Sequence, residues 1–257
     1  METCKLGSWD AFEDKIVGLT GTAKATNSVP LFRGQTNAHW PLKTTLERYS
    51  TTRYSVRRYN DSLLRIQPSL ASSGSQWQEL EADLPENFTP HHPPPNYAFM
   101  CHVRERGFPS PLLDWSESPY IALYFAYRHA VLEGEVVIHV CQGETHDGDT
   151  NIGSTPEPLL TVHGGHFMRQ CRYTLAVKKI NSEWFYCPQE AALARKLDSN
   201  RGYTLRITMP GYLKFDVMKR LHNLDINAYS LYGTEQSLME KLAFTEIQLY
   251  NEAMMNT

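Results

Sequence analysis

The chain carries no excess of charge of either sign, no closely spaced cysteine pair and no long apolar run. Its 25 Lys+Arg stand against 28 Asp+Glu, a formal net charge of −3. No global cationic field therefore gathers nucleic acid or anionic membrane by charge alone. A membrane-spanning helix needs roughly 18 consecutive apolar residues, and the longest candidate, Tyr120 to Leu132, is interrupted by Arg128 and His129. The opening residues METCKLGSWDAFEDKI place acids where a signal peptide needs a basic start and an apolar run. The expectation is no membrane contact and a cytoplasmic location. Five scattered cysteines (Cys4, Cys101, Cys141, Cys171 and Cys187) form no CxxC pair, which predicts buried or incidental thiols and no metal site. Neither GxGxxG nor GxxxxGK[ST] occurs, so no dinucleotide fingerprint or P-loop is expected. No internal repeat is visible.

What is present is bulk. Hydrophobic residues make up 41% of the chain and aromatics 11%, too rich for disorder and enough for one large core. A single domain over 1–257 is expected, with its core at about 8–245. Trp9–Leu19 reads as a helix capped by Ser8, and Ser118-Pro119 opens a second, buried helix. Val29–Phe32 reads as a strand that stops at Arg33-Gly34. Further strands are expected at Glu135–Cys141, Cys171–Val177 and Tyr203–Met209, the last alternating strictly. Helices are expected at Gly211–His222 and Gly233–Asn251, around a turn at Asp225-Ile226-Asn227. Residues 43–70 are basic (Lys43, Arg48, Arg53, Arg57, Arg58, Arg65), a solvated helical face that can also attract phosphate. Residues 71–95 are polar and Pro-rich, an exposed and mobile excursion; its adjacent His91 and His92 diverge rather than chelate. Strands and helices mix without βαβ alternation. That favours an α+β fold, a mixed or antiparallel sheet flanked by helices.

Three segments carry chemistry. In Leu31-Phe32-Arg33-Gly34-Gln35, a guanidinium fork stands beside backbone that a ligand can approach closely. Arg33 then either binds phosphate or carboxylate or pairs with an acid such as Asp114. In Gly107–Ser116, running into the helix after Ser118, an acid, an indole and a hydroxyl meet a helix N-terminus suited to an anion. Trp115 either walls a ring or packs in the core, and Ser116 or Ser118 either serves a ligand or caps the helix. In Gly164–Tyr173, Arg169 and Gln170 enter a strand after a glycine-flexible loop, so Gln170 can bond an amide or a sugar hydroxyl; His166 reads as an ordinary loop histidine.

Together these segments resemble the FRG domain family, called after the tripeptide found here as Phe32-Arg33-Gly34. The resemblance takes in the Trp9–Ile16 helix and the FRGQ…W-x-L…T-L-x-R run from Phe32 to Arg48. It continues through G-x-P-[ST]-x-L-L-D-W-[ST]-x-S-P-x-x-A-x-x-F-A from Gly107 to Ala126 and the pair Arg169-Gln170. The closing region Leu224–Leu242 is similar only loosely. The chain departs from the pattern at Arg104-Glu105-Arg106, where relatives carry histidine, and at Tyr232-Gly233-Thr234-Glu235 in place of a Phe-Pro-Asp-type sequence.

Phe32-Arg33-Gly34, and Trp115-Ser116-Glu117-Ser118 followed by Ala122 and Phe125, also resemble more weakly the first two cleft elements of ADP-ribosyltransferases of the Arg-Ser-Glu class, and imply their fold. That resemblance implies NAD as substrate and no metal. Arg33 would hold the NAD pyrophosphate, Gly34, Gln35 and Arg169 would be among the NAD-binding residues, Ser116 would position the nicotinamide ribose, and Trp115 or Tyr120 would stack near the nicotinamide. Gln170 stands where that class carries its glutamate, so Asp114 or Glu105 would have to supply the missing charge. The implied activity is ADP-ribosyl transfer to a protein or nucleic-acid acceptor, or NAD glycohydrolysis, in a toxin or phage-defence effector. The alternative is a non-catalytic module that senses a nucleotide-like ligand or binds a protein.

Overall fold

The computed structural model describes residues 2–26, 29–72, 77–83, 93–142, 145–147, 150–156, 170–195 and 203–249. Their nine strands are β1 (Glu2–Lys5), β2 (Leu31–Gln35), β3 (Leu113–Ser116), β4 (Glu135–Gln142), β5 (Thr145–Asp147), β6 (Thr150–Pro156), β7 (Cys171–Ile180), β8 (Glu183–Tyr186) and β9 (Tyr203–Pro210). They pair into one sheet in the order β1-β9-β4-β2-β3-β7-β6-β5, with β8 added on β7. Only β1 on β9 is parallel among these pairs, so the sheet is mixed and the fold is α+β.

The helices are α1 (Trp9–Thr26), α2 (Thr45–Tyr49), α3 (Val56–Ser72), α4 (Tyr97–Glu105), α5 (Pro119–Tyr127), α6 (Gln189–Arg195), α7 (Lys214–Asn223), α8 (Ala228–Tyr232) and α9 (Glu235–Ala243). A π-helical turn, Phe244–Leu249, continues α9. Strand alternation sorts their packing. Phe32 and Val140, paired across β2 and β4, face the core formed with α1, α5, α7 and α8. Leu31 and Cys141, one residue away, face the opposite side and meet Leu42, Trp115 and Leu193 of α6. Tyr173, Leu175 and Val177 of β7 pack under α3 and α4 in a third cluster.

The sheet is nearly two sheets. β4 and β9 share eight register pairs and β2 and β4 share five. By contrast, β2 and β3, at the centre of the order, share the single pair Phe32↔Ser116. Backbone pairing alone therefore ties the halves weakly, and side chains must complete the joint.

Local chemistry accounts for the helix ends. Ser8 Oγ accepts from Ala11 N–H, and Ser118 Oγ from Ile121 N–H, with Pro119 at the first helical position. Strand β2 does not stop at Arg33-Gly34 as the sequence suggested. It runs on to Gln35, because Gly34 and Gln35 pair with Ile138 and Val137. The expected helix from Gly211 opens as a 3-10 turn, Gly211–Leu213, before α7, and the one from Gly233 starts at Glu235 under a Thr234 cap. Of the 71–95 excursion, residues 77–83 are docked. Trp77 stands 4.5 Å from the His102 ring and 5.2 Å from Phe99, and Asn60 and Asn96 side chains both donate to Glu81 O. His91 and His92 lie outside the described residues. No helix among the described residues is long and apolar enough to cross a membrane.

Helix α5 lies directly on the backbone of β2. A Cβ built on Gly34 falls 1.9 Å from Ala122 O and 2.6 Å from Ala126 N. The close approach that this glycine permits is made by a helix of the chain itself. Gly34→Ala should destabilise the fold by about 3 kcal/mol or more, since backbone cannot yield as a flexible side chain does. Chemical denaturation checks this; an unchanged midpoint would mean that α5 does not seat on β2.

Candidate functional site

At the weak joint lies a cleft of about 360 Å³. Its lining includes Arg33, Gly34 and Gln35 from β2, Arg48 from α2, Asp114, Trp115 and Ser116 from β3, Phe125 from α5, His129 and Cys171. Arg33 Nη1 donates to the Asp114 carboxylate at 2.6 Å and to its backbone carbonyl at 2.8 Å. Arg104, from α4, donates to the same carboxylate oxygen at 2.5 Å. Arg104 also pairs with Glu105 at 3.0 Å, and Glu105 accepts the Tyr173 hydroxyl at 3.1 Å. One carboxylate thus bridges β2, β3 and α4, and Glu105 balances Arg104 from behind.

Burial opposes the charge on Asp114, but Arg104 and then Arg33, with hydrogen bonds from its own backbone and from Arg33, hold its carboxyl well below the usual carboxylate range. Its side chain remains 43% exposed, whereas Arg33 is 14% and Arg104 13% exposed. The acid is therefore ionised and reachable. Burial lowers the Arg104 pKa, yet Asp114, Tyr173 and Glu105 outweigh it and raise the value overall. Arg48 moves the other way: burial and then the charge of Arg33 lower its pKa, against smaller contributions from Asp114 and Glu47. Two guanidiniums thus feel each other across the cleft. Arg33 Nε is buried with no hydrogen-bond partner among the described residues.

The other anticipated residues separate. Gln35 lines the cleft, buried, with His139 Nε2 and its Oε1 3.0 Å apart. Ser116 lines it too, but its hydroxyl accepts from Ser118 N–H at 3.0 Å and shapes the turn into α5. Trp115 is a core residue, 3% exposed, with its indole N–H donated to Thr174 Oγ1; it offers no open wall to a ring. Tyr120 lies away from the cleft, stacked on Trp9 at 5.7 Å with its hydroxyl donated to Glu13. Glu105 sits behind Asp114 rather than in the cleft. Gln170 is exposed at φ +48°, and its carbonyl accepts Glu117 N–H, while Glu117 pairs with Arg172 at 2.5 Å. Arg169 and His166 lie outside the described residues.

Residues 28–133 match the FRG domain family. The chain carries an FRG domain. No curated protein and no solved structure matches it. All of the cleft-lining residues except Cys171 fall within the FRG domain match, while β4, β7 and β9, which buttress β2 and β3, lie beyond it. Arg104, also inside the match, was not anticipated as part of the site. Its one signal was position, near the end of a helix that shortly precedes the Leu-Leu-Asp-Trp strand.

Acid should loosen this site in two stages. Burial first, then Arg33 and Arg206, depress the His139 pKa to about 3, so the unfolded chain binds that proton more readily below pH 6.5. Stability from neutral His139 is present above pH 6.5 and falls by up to about 1.4 kcal/mol per pH unit toward pH 3. Asp114, also depressed, contributes stability above its unfolded value near about 4, lost only at lower pH. Urea titrations at stepped pH should show the slope between pH 6 and 4 flatten in His139→Asn and persist in Asp114→Asn. The latter should cost roughly 2–4 kcal/mol at pH 7, because two largely buried guanidiniums lose their shared partner.

Proposed function

We propose that the FRG-domain cleft binds a phosphate-bearing nucleotide of the NAD type, with consumption of NAD as its reaction class. The observation that carries this reading is an ionised, reachable Asp114 in a cleft whose charged lining, among the described residues, is otherwise Arg33 and Arg48. That lining is net positive in a chain of net charge −3. A diphosphate placed between Arg33 and Arg48 relieves their repulsion and gives the unpartnered Arg33 Nε an acceptor. Gln35, its carbonyl oxygen engaged by His139, keeps its NH2 for an oxygen of the ligand.

In such a reaction the ribose–nicotinamide C–N bond breaks and its electron pair leaves with nicotinamide. The ribose is left as an oxocarbenium-like cation, and water or an acceptor nucleophile adds to it and releases a proton. Asp114 would stabilise that developing positive charge electrostatically. A toxin or phage-defence role is the setting that fits an NAD-consuming activity. A specific observation also favours the second reading, a nucleotide-sensing module that binds without turnover. Ser116 is engaged in the α5 turn, Trp115 is buried and Tyr120 lies elsewhere, so the two roles that the transferase resemblance gives these three side chains, positioning the ribose and stacking on the nicotinamide, are not presented by them.

Nicotinamide release from NAD, measured for the wild type, Arg48→Ala and Asp114→Asn, decides between them. Turnover should fall at least tenfold in both variants, and an NAD-dependent thermal shift should shrink in Arg48→Ala. A thermal shift without turnover supports the sensing module. Neither turnover nor shift in the wild type overturns the NAD reading.

A further inference from the structure

We infer that a second groove, on the far side of α2 from the cleft, is a binding site for single-stranded nucleic acid. This groove, of about 520 Å³, runs between the segment 43–54 and the β7–β8 hairpin with the start of α6. Lys43, Arg53 and Lys178 line it. Among the described residues its one acidic lining residue is Glu47, whose carboxylate accepts Thr44 N–H in the capping box of α2 and so is committed to that helix end. The acids on the neighbouring elements, Glu183 and Glu190, do not line it. None of the three cations forms an ion pair among the described residues. In a chain with more acids than bases, three unpaired cations around one cavity mark a site for an anion.

Aromatic rings alternate with these charges. Tyr54 and Phe185 line the same groove. Beside it, Arg58 stands 4.5 Å over the Tyr54 ring, while Tyr49 at the end of α2 is 80% exposed. An acidic polypeptide needs only the cations. A single strand uses both sets, phosphates on the cations and bases on the rings, and the groove has room for a nucleotide. The overall charge ruled out a field over the whole surface; the site is local, and it depends on three residues brought together from distant parts of the chain.

Short helix α2 connects the two sites, since Arg48 lines the cleft while Leu46 and Glu47 line the groove. A strand lying in the groove would pass beside the cleft. Its role as ADP-ribosyl acceptor rests on the NAD reading; its binding does not.

The test is fluorescence anisotropy with labelled 12-nucleotide oligo(dT) and oligo(U), alone and against polyglutamate or a 12-base-pair duplex. Lys43→Gln/Arg53→Gln/Lys178→Gln should lose at least tenfold in affinity for the oligonucleotides. It should also reduce the slope of log affinity against log salt by about 2, since each neutralised phosphate of a single strand contributes roughly 0.7. Lys43→Gln/Arg53→Gln, which changes only exposed side chains, should lose an intermediate amount, with an unchanged melting temperature as the folding control. Wild-type protein that fails to bind either oligonucleotide, a triple variant within twofold of wild type, or polyglutamate or duplex competing as well as the single strand overturns the inference. Arg33→Ala should abolish nicotinamide release while sparing oligonucleotide binding. Oligonucleotide binding by a wild type that never releases nicotinamide supports the groove and overturns only the NAD reading.

Discussion

The carboxylate of Asp114 is the point on which the two halves of the sheet depend. With one backbone register pair between β2 and β3, a sheet of this size would open at its centre. Arg33 crosses that gap from β2, and Arg104 reaches the same oxygen from α4, which belongs to the other half. Two cations on one anion leave an unbalanced charge unless a second acid stands near, and Glu105 provides it, held in turn by Tyr173. Apart from Arg33 Nε, which is buried with no partner among the described residues, the network is paired on its inner side and exposed at Asp114 on its outer side. Hence the joint that needs side chains to close it is also where the molecule leaves a charged group open to the cleft.

Packing around the joint narrows what the cleft can offer. Gly34 lets α5 lie directly on β2, and the chain turns from β3 into that helix within two residues of Ser116. That proximity uses the Ser116 hydroxyl as a turn acceptor, and the pairing of β3 with β7 sends Trp115 inward to Thr174 and Gln189. A residue type that suits a ligand in a linear motif is thus diverted by the register of the strand that carries it. What remains open is the polar rim made by Arg33, Gln35, Arg48 and Asp114.

Features determined by neighbours in the chain were legible in the sequence. Ser8 and Ser118-Pro119 cap helices because capping is a contact across three residues, and Leu205, Ile207 and Met209 alternate with Thr204, Arg206 and Thr208 because their face of β9 joins the apolar core under α1 and α5. The FRG motif pointed to Arg33 and Asp114, and these do form a pair. Features set by distant pairing were not legible. The polar β1 is a strand only because it lies parallel to β9, at the far end of the chain, and Arg104 enters the site only because α4 crosses behind β3. Tyr120 reads as a candidate from its place after Ser116, yet helical geometry turns it toward Trp9. Likewise Lys43, Arg53 and Lys178 share a groove because the β7–β8 hairpin folds back against the segment before α3, through Tyr186 N–H to Tyr54 O and the Ser55↔Phe185 bridge.

The same electrostatics limit the chemistry that Asp114 can do. A carboxylate held ionised by two guanidiniums is a weak base, so it takes a proton from an acceptor nucleophile poorly at neutral pH. Its usefulness lies in field rather than in proton transfer, and even that field is partly cancelled by the cations beside it. An anionic ligand changes this balance. Under the proposed NAD reading, a diphosphate engaging Arg33 and Arg48 would compete with Asp114 for Arg33 and leave the carboxylate less neutralised as a cation developed nearby. The site would therefore be electrostatically quiet when empty and more negative at Asp114 when occupied. That requires the nucleophile to arrive already competent, as water or a neutral group of an acceptor, rather than being activated by this carboxylate.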